Sequence, residues 1–312
     1  MALTPRFEED VHNTGLDKHV RPPWLTVPHE FATVVKLVNG DGMVVKARPP
    51  GVITLTEDPA GTAHQRLFTI RGDAPGPARV GVFAPGRSVA ETWLEVRVKE
   101  LKMVDIAFHY VEDDLSNQTT RNRSPSFLDE LERVLSSTYF LQTSIMFTRT
   151  RAVPIQVNTS LRKILSEQLD AGDLREKGEL YKLGLQGDAE ADINVFFMRW
   201  SGPVAQRPSQ MMGTNWTCIC EDSMTDAQVK IALPHMVGRF LGCQPDFNEK
   251  HKHHLMFASR AEGIDPLGRS IDLSSFIPRD CSNMMNPGWS PPMGDSTMAQ
   301  PADSASIPLL RR

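Results

Sequence analysis

The chain has 312 residues and a formal net charge of −4, which excludes the broad positive field of a nucleic-acid-binding protein. Its hydrophobic content of 40% and charged content of 23% are ordinary for a soluble globular protein. The sequence contains no apolar run of about 18 residues that would predict a membrane span. The polar, acidic start has no apolar leader core, so we expect a cytoplasmic or particle-associated protein. The length predicts about two domains.

The first third of the chain is expected to be all-β. Residues 1–27 are polar and contain prolines, which predicts an extended arm that Trp24 and Leu25 fasten to the body. Residues 28–98 contain short apolar runs separated by Gly, Pro, Asn and Asp, a pattern typical of a β-sandwich. The predicted strands are 31–38, 42–47, 52–56, 67–71, 78–83 and 92–98.

Residues 99–283 change to alternating strand and helix patterns, which predicts an α+β domain with a mixed sheet packed by helices. Strands are expected at 103–111, 140–147 with an extension to 157, 192–200 and, at a sheet edge, 216–220. Helices are expected from Ser124 to about Ser137, over 159–170, and after the capping box of Thr225 and Gln228. Residues 284–312 are rich in Pro, Ser and Met and predict a flexible or extended tail.

The segment 233–242 reads LPHMVGRFLG, with His235 at its third position and Gly242 at its end. It resembles the zinc helix of metzincin metallopeptidases, H-E-x-x-H-x-x-G-x-x-H, in which two histidines four residues apart hold the metal. The resemblance puts His235 at the first ligand and Gly242 at the glycine that closes the helix. It also implies a zincin-like fold over about residues 101–282.

Three further segments resemble parts of the same family in the same order. Residues 193–198 resemble the central strand, and residues 254–257 resemble the segment that carries the methionine turn, with Met256 in the methionine place. Residues 271–276 resemble the start of the closing helix. In the first domain, residues 72–80 (GDAPGPARV) resemble the G-x-x-P-G-x-A-x-V pattern of bacterial immunoglobulin-like domains. Such domains space, present or adhere, and their likeness implies a bacterial or phage origin.

The reactive positions of the zinc motif are occupied by unreactive residues. Met236 stands at the catalytic glutamate and has no proton to exchange. Arg239 stands at the second histidine and is permanently cationic, so it would repel zinc. Pro245 stands at the third ligand and offers no ligand atom. The degenerate motif predicts a pseudoenzyme that needs no cofactor.

A second interpretation keeps the metal. In it, His235 would bind zinc with other ligands drawn from Cys243, Asp246 and His254, and the protein would be an active zinc metallohydrolase.

The preferred hypothesis is a non-catalytic binding or structural protein with a protein partner. Its extended ends would suit a component or cargo of a phage-tail or contractile-injection type assembly. Trp200 and Trp216 are the candidate binding surface. A third interpretation is an adhesin or toxin whose first domain grips a surface.

The four cysteines leave several roles open. Cys218 and Cys220 alternate on one face of a predicted strand. They could pair with Cys243 or Cys281, bind metal, or pack as buried thiols.

Overall fold

The computed structural model describes residues 4–9, 15–62, 64–113, 123–150, 153–157, 185–198, 209–211, 216–220, 224–251, 254–263 and 277–286. This part of the chain is mostly β-sheet with a few helices. The strands are β1 (Arg6–Glu9), β2 (Leu16–Asp17), β3 (Trp24–Pro28), β4 (Ala32–Val38), β5 (Val44–Arg48), β6 (Ile53–Thr62), β7 (Gln65–Gly72), β8 (Gly76–Phe83), β9 (Ala90–Lys99), β10 (Lys102–Asp113), β11 (Ile145–Arg149), β12 (Val153–Val157), β13 (Ile193–Met198), β14 (Ser209–Met211) and β15 (Trp216–Cys220). The α-helices are α1 (Pro125–Thr143), α2 (Asp226–Phe240) and α3 (Arg279–Met285), and short 3-10 helices span Glu249–His251 and Ala258–Glu262.

Two sheets form a sandwich from the first third of the chain. The first sheet has the order β1-β4-β7-β6, and the second has the order β2-β3-β9-β8-β5. Alternate residues of both sheets point inward and share one core, as the period-2 pattern of β9 shows in Leu94, Val96 and Val98. The predicted sandwich is therefore present.

The described residues of the predicted arm, 4–9 and 15–27, include strands that pair with strands of the sandwich. Strand β1 pairs antiparallel with β4, and β3 pairs parallel with β9. Trp24 and Leu25 are buried in β3, as expected for residues that fasten this segment.

The third sheet is mixed, as predicted, with the order β11-β10-β13-β15-β14. Strand β10 pairs in parallel with β11 along its first half and with β12 along its second half. Strand β15 was predicted at a sheet edge, which is wrong, because the three-residue β14 pairs with it antiparallel on its outer side. So short a strand leaves little periodicity in the sequence.

Helices α1 and α2 pack on the third sheet and form a second hydrophobic core with it. Helix α1 begins at the Ser124 cap, as predicted, but runs to Thr143, so the strand expected from residue 140 starts at Ile145. Thr138 and Thr143 have strand propensity, yet each hydroxyl donates to the carbonyl four residues back. Buried Tyr139 holds this last turn against α2, so tertiary packing overrides local propensity.

Helix α3 connects the two cores. The Lys99 amino group, at the end of β9, donates to the Ser282 carbonyl and hydroxyl at 2.8 Å each. The Thr26 hydroxyl donates to the Gln142 carbonyl at 3.0 Å, and the Ser282 hydroxyl donates to the same carbonyl. These buried polar contacts tie the sandwich to the helical layer.

Some of the predicted segments cannot be compared with the structure. Residues 159–170, 271–276 and 287–312 lie outside the described residues, so the predicted helices and tail there stay predictions. The boundary predicted between 98 and 99 also stays a prediction, although β9 ends at Lys99 and β10 begins at Lys102. In the described ranges, no helix is both long and apolar enough to cross a membrane.

Candidate functional site

Helix α2 carries the motif and has the ends that the sequence predicts. The Thr225 hydroxyl accepts from the Gln228 N–H at 3.3 Å, and the Gln228 side chain accepts from the Thr225 N–H at 2.8 Å. At the other end Gly242 has a φ of +104°, and the Cys243 N–H donates to the Gly238 carbonyl at 3.0 Å. This pairing is the Schellman form of a helix end, which favours glycine. The capping box and the glycine cap are both confirmed.

Proline at position 234 does not end this helix. Its ring removes one backbone hydrogen bond, a change that costs roughly 3 kcal/mol in an isolated helix. In the folded chain the Tyr139 hydroxyl donates to the Pro234 carbonyl at 2.5 Å, and both residues are buried. The contact joins α1 to α2 one residue before His235.

His235 is 1% exposed, and its Nδ1 lies 3.1 Å from the Leu255 carbonyl oxygen. A carbonyl oxygen only accepts, so Nδ1 carries the proton. Burial lowers the pKa of His235 to about 4, the hydrogen bond to Leu255 opposes this shift, and the nearby charges of Arg239 and Arg260 add to it. The imidazole is therefore neutral at physiological pH and serves as a hydrogen-bond donor inside the protein.

The acceptor belongs to a tight turn at residues 254–257. The His254 carbonyl accepts from the Phe257 N–H at 3.2 Å and from Arg260 Nε at 3.1 Å, and the Met256 carbonyl accepts from the Asp246 N–H at 2.7 Å. With the bond from His235, the three successive carbonyls of the turn all have donors, as buried backbone requires. His235 thus helps to fix the turn against α2.

The Met256 side chain packs against helix α2 at Gly238. A Cβ atom on Gly238 would be 2.5 Å from the Met256 sulfur and 3.1 Å from the Tyr139 hydroxyl. Glycine at 238 therefore lets the buried thioether rest against the helix backbone. The sequence resemblance put Met256 in the methionine place, and it gave no signal for the role of Gly238.

The described residues do not fit a zinc ion at this helix. Met236 is completely buried, and Arg239, one turn after His235, is partly buried. The charges of Arg239 and Arg260 act on the imidazole, and a divalent cation there would face the same repulsion. Pro245, at the position of the third ligand, brings no donor atom.

The other candidate ligands have different partners. His254 Nδ1 lies 3.1 Å from the Asp246 carboxylate, so these two residues pair with each other. The Cys243 thiol donates to the Cys281 carbonyl at 3.7 Å. Within the parts of the chain that the structure describes, no three His, Cys, Asp or Glu side chains are grouped as a metal site would need. Trp200 and the side chains of Trp216, Cys218 and Cys220 lie outside the described residues.

A second candidate site, which the sequence did not indicate, lies on the outer face of the second sheet. Trp93, Glu95 and Arg97 alternate with the core residues of β9 and point away from the core. The strand register places one row of neighbouring residues across four strands. Trp24 pairs with Glu95, Glu95 with Arg79, and Arg79 with Arg48. These side chains line a cavity of about 790 Å³, which we call the aromatic–arginine groove; its rim includes Pro49, Pro50 and Pro77.

The ring of Trp93 lies across strand β8 at Gly81. A Cβ atom on Gly81 would be 2.8 Å from the Trp93 ring and 2.7 Å from the Phe83 ring. The two rings meet edge to face at 5.7 Å between centroids. Gly81 therefore makes room for an ordered pair of aromatic side chains at this end of the groove.

Arginines give the groove a positive charge. Three of its lining residues are arginines and one is a glutamate, Glu95, which already accepts from Arg79 at 2.9 Å. Burial lowers the pKa of Arg97 more than the nearby Glu95 raises it, so water screens this guanidinium poorly. The groove thus combines indole surface with cations that an anionic ligand would neutralise.

Comparisons with known proteins find weak structural likenesses. No protein-family model matches the chain, and no curated protein matches it. A crystal structure of the Lin-41 filamin domain matches with 12% identity and a TM-score of 0.21, covering 31% of this chain and 95% of that one. A zinc-dependent peptidase from Methanocorpusculum labreanum (strain Z) matches with 12% identity and a TM-score of 0.31, covering 58% of this chain and 100% of that one. TM-scores this low do not establish a shared fold.

Proposed function

We propose that this protein is a non-catalytic binding protein that recognises an acidic, extended protein segment in the aromatic–arginine groove. The observation that carries the proposal is the row of Trp24, Glu95, Arg79 and Arg48 across four strands, with Trp93 and Arg97 beside it. Tryptophan and arginine are the residues that contribute most to binding energy at protein interfaces. Membership of a phage-tail or contractile-injection assembly stays a prediction from sequence.

Charge complementarity determines the ligand class. After the Arg79–Glu95 pair is formed, Arg48 and Arg97 contribute the remaining charge of the groove lining. Carboxylates match guanidinium groups in geometry and can accept two hydrogen bonds from each. Prolines and indole rings at the rim and floor favour apolar side chains between the acidic ones. An extended peptide that alternates carboxylates with proline or aromatic residues satisfies both features.

The residues around His235 support a binding function over catalysis. Its imidazole is neutral, buried and bonded to the Leu255 carbonyl. Met236 has no proton to exchange and Arg239 is a cation, so the residues of this helix would supply neither a general base nor a second metal ligand. In this proposal the motif helix is a structural element that positions the 254–257 turn.

The test is a titration of the full-length protein with labelled peptides of equal length, followed by fluorescence anisotropy. A peptide of alternating Glu, Pro and Trp should bind, and its Gln-for-Glu counterpart should bind at least about tenfold more weakly. Replacing Arg97 with glutamine, or Trp93 with alanine, should each weaken the acidic peptide about tenfold. Arg71→Gln, an exposed arginine on the first sheet, is the matched control and should leave affinity unchanged.

Equal affinity for the acidic and neutral peptides, or no effect of the Arg97 and Trp93 variants, would refute this ligand class. Binding of a neutral glycan that depends on Trp93 but not Arg97 would instead favour the adhesin interpretation.

A further inference from the structure

Two cysteines far apart in sequence meet beside the motif helix. Cys243 follows the glycine cap of α2, and Cys281 lies in α3, 38 residues later. The Cys243 thiol donates to the Cys281 carbonyl at 3.7 Å, which places its sulfur against the backbone of Cys281. Both are free thiols in this structure.

The two thiols have unequal environments. Cys243 is 2% exposed, whereas Cys281 is partly exposed. The neighbouring Cys243 side chain lowers the pKa of the Cys281 thiol, although burial and the carboxylates of Asp280 and Asp246 oppose this shift. The Cys281 side chain and burial both raise the pKa of Cys243. Cys281 is therefore the accessible thiol and the better nucleophile, and Cys243 is placed to react with it second.

We infer that Cys243 and Cys281 are a reversible disulfide site that a hydroperoxide oxidises. The Cys281 thiolate attacks the terminal peroxide oxygen and breaks the O–O bond, which gives a sulfenic acid and, after protonation, water or an alcohol. The Cys243 sulfur then attacks the Cys281 sulfur, loses its proton and displaces hydroxide, which leaves as water. Two thiols lose two electrons and two protons, and the peroxide is reduced by the same two electrons.

The bond would fasten α3 to the end of the motif helix. The Lys99 amino group also donates to helix α3 at Ser282, next to Cys281. A disulfide at 243–281 would therefore add a covalent connection to the polar contacts that join the sandwich and the helical layer. Oxidation should raise the apparent melting temperature of the protein, because the closed loop restricts the unfolded chain.

Peptide mapping tests this site without any variant. After trypsin digestion, Cys243 is in peptide 240–250 and Cys281 is in peptide 280–311. Cys218 and Cys220 are together in a third peptide, 200–230. After brief treatment of the native protein with hydrogen peroxide and alkylation, peptides 240–250 and 280–311 should appear linked, about 2 Da lighter than their summed masses. A thiol reductant should release them.

Recovery of both peptides separately after oxidation, alkylated or as sulfinic acids, would overturn the inference. So would equal yields of links from Cys243 or Cys281 to peptide 200–230. The variants Cys243→Ser and Cys281→Ser should each abolish the rise in melting temperature upon oxidation. If either variant fails to fold, the wild-type peptide map still decides the question.

Discussion

Replacing Lys99 with methionine is expected to stabilise the protein at pH 7 and to remove much of its pH dependence between pH 7 and 10.5. Burial lowers the pKa of Lys99 from 10.5 to about 7, and the nearby Arg97 charge adds to this shift. In this window the unfolded state binds a proton that the folded state does not. The free energy of unfolding of the wild-type protein should therefore fall as the pH falls from 10.5 to 7, by up to about 1.4 kcal/mol per unit.

The size of the Lys99 effect follows from the distance between the two pKa values. Over the whole range from pH 10.5 to 7, the free energy of unfolding of the wild type should fall by at most about 5 kcal/mol. Methionine keeps a similar length and fills the space beside the Trp24 ring, over which the Lys99 Nζ lies at 5.4 Å. The Ser282 carbonyl keeps its bond from the Asn286 N–H, so the substitution leaves no orphaned acceptor there.

Urea unfolding at several pH values measures the Lys99 prediction. Lys46→Met, on the exposed side of β5, is the matched control and should keep the wild-type slope between pH 7 and 10.5. A Lys99→Met variant that is less stable than the wild type at pH 7, with the same slope, would show that the Lys99 amino group is not buried as described.

Replacing His235 with alanine is expected to lower the free energy of unfolding at pH 7 by roughly 2–4 kcal/mol. The change leaves a cavity in a fully packed region and removes the donor to the Leu255 carbonyl. The turn at 254–257 would then have one unsatisfied buried carbonyl. His64→Ala is the matched control, because its side chain is 85% exposed, and it should change stability by less than about 0.5 kcal/mol.

The pH dependence of the wild-type protein provides a second test of His235. The pKa of this imidazole is about 4 in the folded protein, against an ordinary value of 6.5 that the unfolded chain retains. Between these two pKa values the unfolded chain binds a proton that the folded protein does not. The free energy of unfolding should therefore be constant above pH 6.5 and should fall by roughly 3 kcal/mol in total as the pH falls toward 4. The His235→Ala variant should lack this component. Few carboxylates titrate between pH 6.5 and 5. If the His235→Ala variant loses as much free energy of unfolding as the wild type over this range, His235 is not the buried neutral group described.

Much of the sandwich could be predicted because turn residues separate its strands. Asn39, Gly40, Asp41 and Gly42 end one run, and β4 accordingly stops at Val38. The strands of the first 28 residues were missed because their burial depends on pairing with β4 and β9, which lie far along the chain. Such non-local pairing has no local signature.

In the motif helix, too, the local features were predictable and the long-range contacts were not. Its start, its end and its buried face were predictable from the capping box, Gly242 and the helical spacing of Val229, Leu233 and Phe240. The burial of His235 and its acceptor at Leu255 were not predictable, because the turn reaches the helix only in the folded protein. The aromatic–arginine groove was also missed, since its residues come from four strands and become neighbours only through the sheet register.

Zinc content is the most direct test of the central claim that His235 is a structural hydrogen-bond donor and does not bind a metal. The untagged wild-type and His235→Ala proteins would be equilibrated with zinc, desalted and analysed by elemental mass spectrometry. We expect zinc well below one per chain at this site, seen as no difference between the two proteins. About one zinc per chain in the wild type that is lost in His235→Ala would contradict the claim and favour an active metallohydrolase with non-standard ligands.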